Sequence, residues 1–137
     1  MNQIDAALYT KITGTAAITG LLASATAVFN HLAPQSTDEP YVVFGQQAAV
    51  PEFTFGGVAY ETLTYMVKGV TKGPSGKVAG SIASQVDAAL NDGTLTISGY
   101  SLMYCRRASA IDYVEAGPAG VVYHHRGALY DIWADPA

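Results

Sequence analysis

Several residue groups in this chain are of types that carry chemistry, and their spacing decides what each can do. The string Gly73-Pro-Ser-Gly-Lys77 matches the second half of a phosphate-binding loop, in which backbone N–H groups wrap phosphate and a lysine neutralises it. The other two fixed positions fail: Thr71 stands where a glycine is needed and Val78 where a hydroxyl should hold magnesium. The string therefore reads as a strand-to-helix turn in which Ser75 can cap the helix, and no nucleotide or other cofactor is expected.

Cys105 and His124 are the best candidates for nucleophilic catalysis. A hairpin centred between Val114 and Glu115 sets them opposite each other, which is the arrangement a cysteine-dependent hydrolase uses, with a thiolate attacking and a histidine as base. Neither a helix N-terminus to lower the thiol pKa nor a third, orienting residue is evident, and a lone cysteine beside Met103 reads first as a small core residue. His124 and His125 are adjacent, so on a strand they face opposite ways; His31 is their one other histidine, and no metal framework results. Asp38 and Glu39 fall in a turn-rich loop, while Asp131 and Asp135 flank Trp133, a core or interface anchor by type. No catalytic, cofactor-binding or metal residue is assigned, and the chain is expected not to be an enzyme.

Composition points the same way. Charged residues are 13% of the 137 and hydrophobic ones 50%, so small neutral residues and nine tyrosines must cover much of the surface. An ordinary domain has roughly 25% charged residues. Such a surface offers little resistance to close contact with another protein, which suits an assembly component. The net charge of −4 argues against a protein that binds nucleic acid by neutralising phosphates. The one basic pair, Arg106-Arg107, splits across two faces if it lies on a strand. With one cysteine there is no internal disulfide. Residues 16–27 resemble an export signal only in their apolar run, because the region before them carries Asp5 and a single lysine. No run reaches the roughly 18 apolar residues of a membrane span, so no membrane association is expected.

The elements that must position these residues follow from periodicity. Ile4, Leu8 and Ile12 recur on one helical face between Asn2 and Ile12, Gly14 ends it, and Thr15 can cap a second short helix carrying Ile18, Leu21 and Leu22. Residues 27–31 read as a short extended run, and Tyr41-Val-Val-Phe44 as a strand after Pro40. Gln46 to Ala59, with Pro51, Gly56 and Gly57, reads as a long loop, mobile in the isolated subunit and ordered at a contact, with Phe53 and Phe55 exposed on it. Tyr60 to Val70 alternates with Leu63, Tyr65 and Val67 inward, and a helix follows with the stripe Val78, Ile82, Val86, Ala89 and Leu90, stopped by Asn91-Asp-Gly93. Extended runs at 95–97, 100–108 and 121–133 follow, with 111–120 as a loop. Consecutive strands without intervening helices favour antiparallel pairing. The expectation is one α+β domain over residues 1–137, with a mainly antiparallel or mixed sheet and helices packed on one face.

Taken together, LYTKITGTAAITGLLAS, VFNHLAP and DEPYVVFG, followed by the strand, helix and strand-pair order of the remainder, resemble the tail-completion or tail-terminator proteins of long-tailed phages and phage-like particles, including gene transfer agents. The resemblance implies a small subunit that forms a ring, commonly a hexamer, at the head-proximal end of the virion tail after assembly in the host cytoplasm. Its implied partners are other copies of itself, the tail tube protein and the head–tail connector protein, with DNA passing through the channel without specific binding. It brings no catalytic residues. Phe53, Phe55 and Trp133 are the candidate assembly-interface residues; the alternatives are a different virion ring or tube component, or the hydrolase built on Cys105 and His124.

Overall fold

The computed structural model describes residues 3–136. Their order is α1 (Gln3–Thr13), α2 (Ala16–Thr19), β1 (Val28–Asn30), β2 (Tyr41–Thr54), β3 (Gly57–Lys72), α3 (Lys77–Leu90), β4 (Tyr100–Ala116), a 3-10 turn (Pro118–Gly120) and β5 (Val122–Pro136). The strands form one five-stranded sheet in the order β1-β2-β3-β5-β4. Only the β1–β2 pair is parallel; the other three pairs are antiparallel. This is the α+β class the alternation of elements implies, in a single sheet.

The core lies between the sheet and the helices. Ile4, Leu8 and Ile12 of α1 and Ile82, Val86 and Leu90 of α3 are buried against Phe44, Leu63, Tyr65, Val67, Tyr130 and Ile132. Gly69 lets α3 approach β3 closely, because a Cβ there would sit 2.7 Å from the Ile82 side chain. The α3 stripe is shifted from the expected one: Ala79 is buried and Val78 is 43% exposed. With Ile82, Val86 and Leu90 defining the inner face, position 79 falls on it and position 78 one step to the side.

Three segments depart from their sequence reading. Residues 46–54 and 57–59 are not a loop; they continue β2 and β3 into a long hairpin closed at Thr54↔Gly57. Pro51 is tolerated because β1 ends its pairing at Phe44, leaving that side of β2 open, and proline belongs on such an edge. Residues 111–116 are likewise strand, since β4 pairs with β5 as far as Ala116↔Val122. Residues 95–97, read as extended, form only an isolated bridge from Ile97 to Tyr100, with Leu95 and Ile97 turned into the core.

The helix boundaries are capped differently from expectation as well. Thr15 occupies the residue before α2, but its Oγ1 donates back to the Lys11 carbonyl at 2.7 Å and joins the two helices. Gly76 precedes α3, and Ser75 Oγ accepts the Lys77 N–H at 3.2 Å. Beyond α3, Asp92 and not Gly93 takes the left-handed conformation, φ 57°.

Candidate functional site

Each chemical candidate can be placed. Cys105 is fully buried and pairs across β4–β5 with Ile132, whereas His124 pairs with Val114. The hairpin turns at residues 117–121, later than the sequence centre, because residues 111–116 are strand. His124 and Ile132 lie eight positions apart on β5, about 26 Å at strand spacing, so the thiol and imidazole never meet. Burial, with Asp92 and Asp131 nearby, pushes the Cys105 thiol up to about 12. It is a neutral core side chain rather than a thiolate, and the Cys105–His124 hydrolase is set aside.

The Gly73–Gly76 turn is filled from the sheet side. His124 Nε2 lies 3.0 Å from the Gly73 carbonyl. A Cβ on Gly76 would stand 3.0 Å from His124 Nδ1 and 3.2 Å from Arg126 Cζ. The glycine thus serves close packing of the turn on two β5 side chains. His125 faces the other way, as alternation requires. It is buried, stacks on Tyr113 at a 4.5 Å centroid separation, and its Nε2 lies 2.9 Å from Glu115 Oε1. Burial lowers its pKa below the ordinary 6.5, against the opposing pull of the Glu115 hydrogen bond. Among the described residues, no group of three or more His, Cys, Asp or Glu side chains is disposed to hold a metal ion.

What remains conspicuous is apolar surface. The β2–β3 hairpin runs past β1 on one side and, at its tip, past β5 on the other, because the β3–β5 pairing begins only at Glu61↔Ala134. On this arm Val50 is 52% exposed, Phe53 70% and Phe55 fully exposed. Trp133 lies at its base, between Tyr60 (centroids 5.1 Å apart, 15° between planes) and Tyr104 (4.6 Å, 30°). The Arg106 guanidinium sits 4.8 Å over the Tyr104 ring. The three rings come from β3, β5 and β4, and Thr62 is the direct partner of Trp133, so the stack lies across the sheet.

The structure therefore separates the three residues nominated from sequence: Phe53 and Phe55 occupy the arm tip, and Trp133 joins an aromatic platform at the arm's base. Nothing in the sequence marks Tyr60 and Tyr104 as partners of Trp133. Their partnership with Trp133 depends on a cross-strand register displaced by the bulge between Leu102 and Tyr104, a feature that no local pattern announces. The arginines are each engaged by carboxylates: Arg106 with Asp92 at 3.0 Å, Arg107 with Asp87 at 3.6 Å and Arg126 with Asp112 at 3.3 Å.

This arrangement has counterparts. A chain in a solved structure described as the virion of a native gene transfer agent particle superposes with a TM-score of 0.80, at 18% identity, covering 97% of this chain and 95% of that one. At that identity the likeness establishes the fold. No curated protein matches the chain. The family model for tail completion protein gp17 matches residues 6–126, from within α1 through the first part of β5. By that match, which spans most of its length, the chain belongs to the tail completion protein gp17 family, structural proteins of phage-type tails.

Proposed function

We propose that this chain is a ring-forming tail terminator: several copies, six by the family resemblance, close a ring at the head-proximal end of the tail, cap the tail tube and join it to the head connector. The observation that carries this reading is the arm. A two-stranded ribbon presenting Val50, Phe53 and Phe55 to water is marginal alone and becomes favourable when another protein covers it. Family membership makes a virion tail the setting in which such a partner is found, and assembly in the host cytoplasm is part of the proposal.

The role is structural. The buried neutral Cys105 and its distance from His124 remove that pair as a nucleophile and base. Passage of DNA without specific binding is supported by the net charge of −4 and by the carboxylate partners of Arg106, Arg107 and Arg126. Two measurements test the reading. Light scattering and electron microscopy of the purified protein, alone and with tail tube protein, should show rings. Particles produced without it should carry tails of unregulated length or tails detached from heads. A persistent monomer, together with normal attached tails in its absence, would overturn the proposal.

A further inference from the structure

We infer that neighbouring copies of this chain join by strand pairing, the outer edge of residues 46–54 on one copy hydrogen-bonding antiparallel to the outer edge of residues 108–116 on the next. The inference rests on the ring reading above and names the surface through which such a ring closes.

Both outer edges of the sheet are half covered. On one side β1 pairs with β2 only from Val42 to Phe44, and beyond that β2 runs on to Thr54 with β3 as its one partner strand among the described residues. On the other side, the chain leaving α3 covers the first half of β4: the Asp92 N–H donates to the Cys105 carbonyl at 2.7 Å, and the Arg107 N–H donates to Asn91 Oδ1 at 2.9 Å. From residue 108 to Ala116, β4 has only β5 as a partner strand. Among the described residues neither segment has a strand paired on its outer edge, and the two lie at opposite sides and opposite ends of the sheet.

Strand direction matches. β2 is antiparallel to β3, β3 to β5 and β5 to β4, so β2 and β4 run in opposite directions. A head-to-tail repeat that extends the sheet therefore brings them together antiparallel, like most of the pairs within the chain. The stagger also suits closure. Val50, midway along the arm edge, shares a cross-strand row with Thr62 and Trp133, while Asp112, midway along the other edge, pairs with Arg126. Trp133 and Arg126 are about 23 Å apart along β5, against about 19 Å across the four strands β2, β3, β5 and β4 that repeat, since β1 ends its pairing at Phe44. That slope of roughly 50° is slightly steeper than the tilt of typical closed barrels and belongs to a staggered, closing sheet instead of a flat ribbon.

The apolar surface is distributed accordingly. Among the described residues, the exposed large hydrophobic side chains are Val50, Phe53 and Phe55 on the arm and Met103, Tyr113 and Val114 on β4, with only Leu32 and Val78 elsewhere. Neither uncovered segment carries a lysine, the side chain that commonly guards an edge against pairing. Pro51 removes at most one donor from the joint.

Cysteine cross-linking tests this directly, since the one native thiol is buried. The double variant Val50→Cys with Asp112→Cys should, under mild oxidation, give a ladder of covalent multimers ending at the copy number found by light scattering. A control with Val50→Cys and Ser101→Cys, the latter on the covered half of β4, should give none. Val50→Lys and Val114→Lys, both at exposed positions, should keep the circular dichroism of the parent and lose the oligomer. An oligomer that persists without the ladder, a ladder equally strong in the control, or cross-links that form only when tail tube protein is added would overturn this inference and leave the ring reading standing. A monomer without any ladder under every condition would sink both.

Discussion

The two halves of β2 are one strand with opposite surroundings. From Tyr41 to Phe44 it is flanked by β1 and β3, with Val42, Val43 and Phe44 buried. From Gln46 to Thr54 it leaves β1 behind, carries Val50 and Phe53 into solvent, and has a bulge at each end, between Gln46 and Ala48 and between Glu52 and Phe53. Hydrophobic residues in the first half are explained by the chain's own core, but those in the second are not. Apolar composition alone thus does not separate a residue that stabilises the fold from one that stabilises an assembly; the neighbouring strands decide which it is.

The sharpest way to break the contrast is to truncate one side chain from each half. Phe44→Ala removes a fully buried ring from the cluster shared with Leu8, Tyr65 and Ile82, and should cost about 3–5 kcal/mol, read as a lowered denaturant midpoint. Near-parental stability in that variant would mean the embedded half is not the core it is described as. A smaller effect is expected at Cys105, which is fully buried on the helix-facing side. Cys105→Ser should cost about 1–3 kcal/mol for a buried hydroxyl without an assured partner, while oligomer size is unchanged. Loss of a specific catalytic activity in that folded variant would restore the hydrolase alternative.

Acid should distinguish the sheet's open face from both halves of β2. His125 is disfavoured as the cation by burial, its Nδ1 has no hydrogen-bond partner among the described residues, and Lys68, Tyr113, Glu115 and His124 lie around it, with His31 and Tyr41 lining the same hollow. Its folded pKa lies below the ordinary 6.5, so the unfolded chain binds the proton more readily. This contribution to stability is complete above the unfolded value and is lost as pH falls from there towards the folded value. Thermal unfolding followed from about pH 8 to about pH 5 should show that decline, and His125→Phe, which cannot titrate, should flatten it. An unchanged slope in the variant would assign the pH dependence to other groups.

How far the sequence could be read follows from the same contrast. Elements whose pattern is satisfied inside the chain were legible: α1 from Ile4, Leu8 and Ile12, α3 from Ile82, Val86 and Leu90, and β3 from Leu63, Tyr65 and Val67. The arm reads as a loop in sequence because Pro51 and the Gly56-Gly57 pair are turn signals, and because its alternation is broken by bulges. The far half of β4 was missed for a related reason: Ser109, Ala110, Asp112, Tyr113, Val114 and Glu115 are all exposed, so no inward-facing period marks it. Residue type alone nominates Phe53, Phe55 and Trp133 as interface candidates. The platform of Tyr60 and Tyr104 is not legible there, since it arises from three strands in a register that only the fold supplies.

The smallest expected effect on folding is also the one that bears most on function. Phe53 and Phe55 are mostly in water already, so Phe53→Ala with Phe55→Ala removes little that the isolated chain uses. Surface substitutions of this kind usually stay within about 0.5 kcal/mol. The same two rings, if covered in the assembly, are aromatic anchors of the type that dominates interfaces, where truncation often costs more than about 1–2 kcal/mol. The double variant should therefore unfold at the parental midpoint and assemble less well, with the concentration for half-assembly raised at least tenfold by light scattering. In the proposed ring such a contact would recur at each junction, so the deficit would repeat around it and the effect on closure would exceed that on a single pair. Unaltered assembly with unaltered stability would show that the arm tip is dispensable to both, and the exposed half of β2 would then require a different partner.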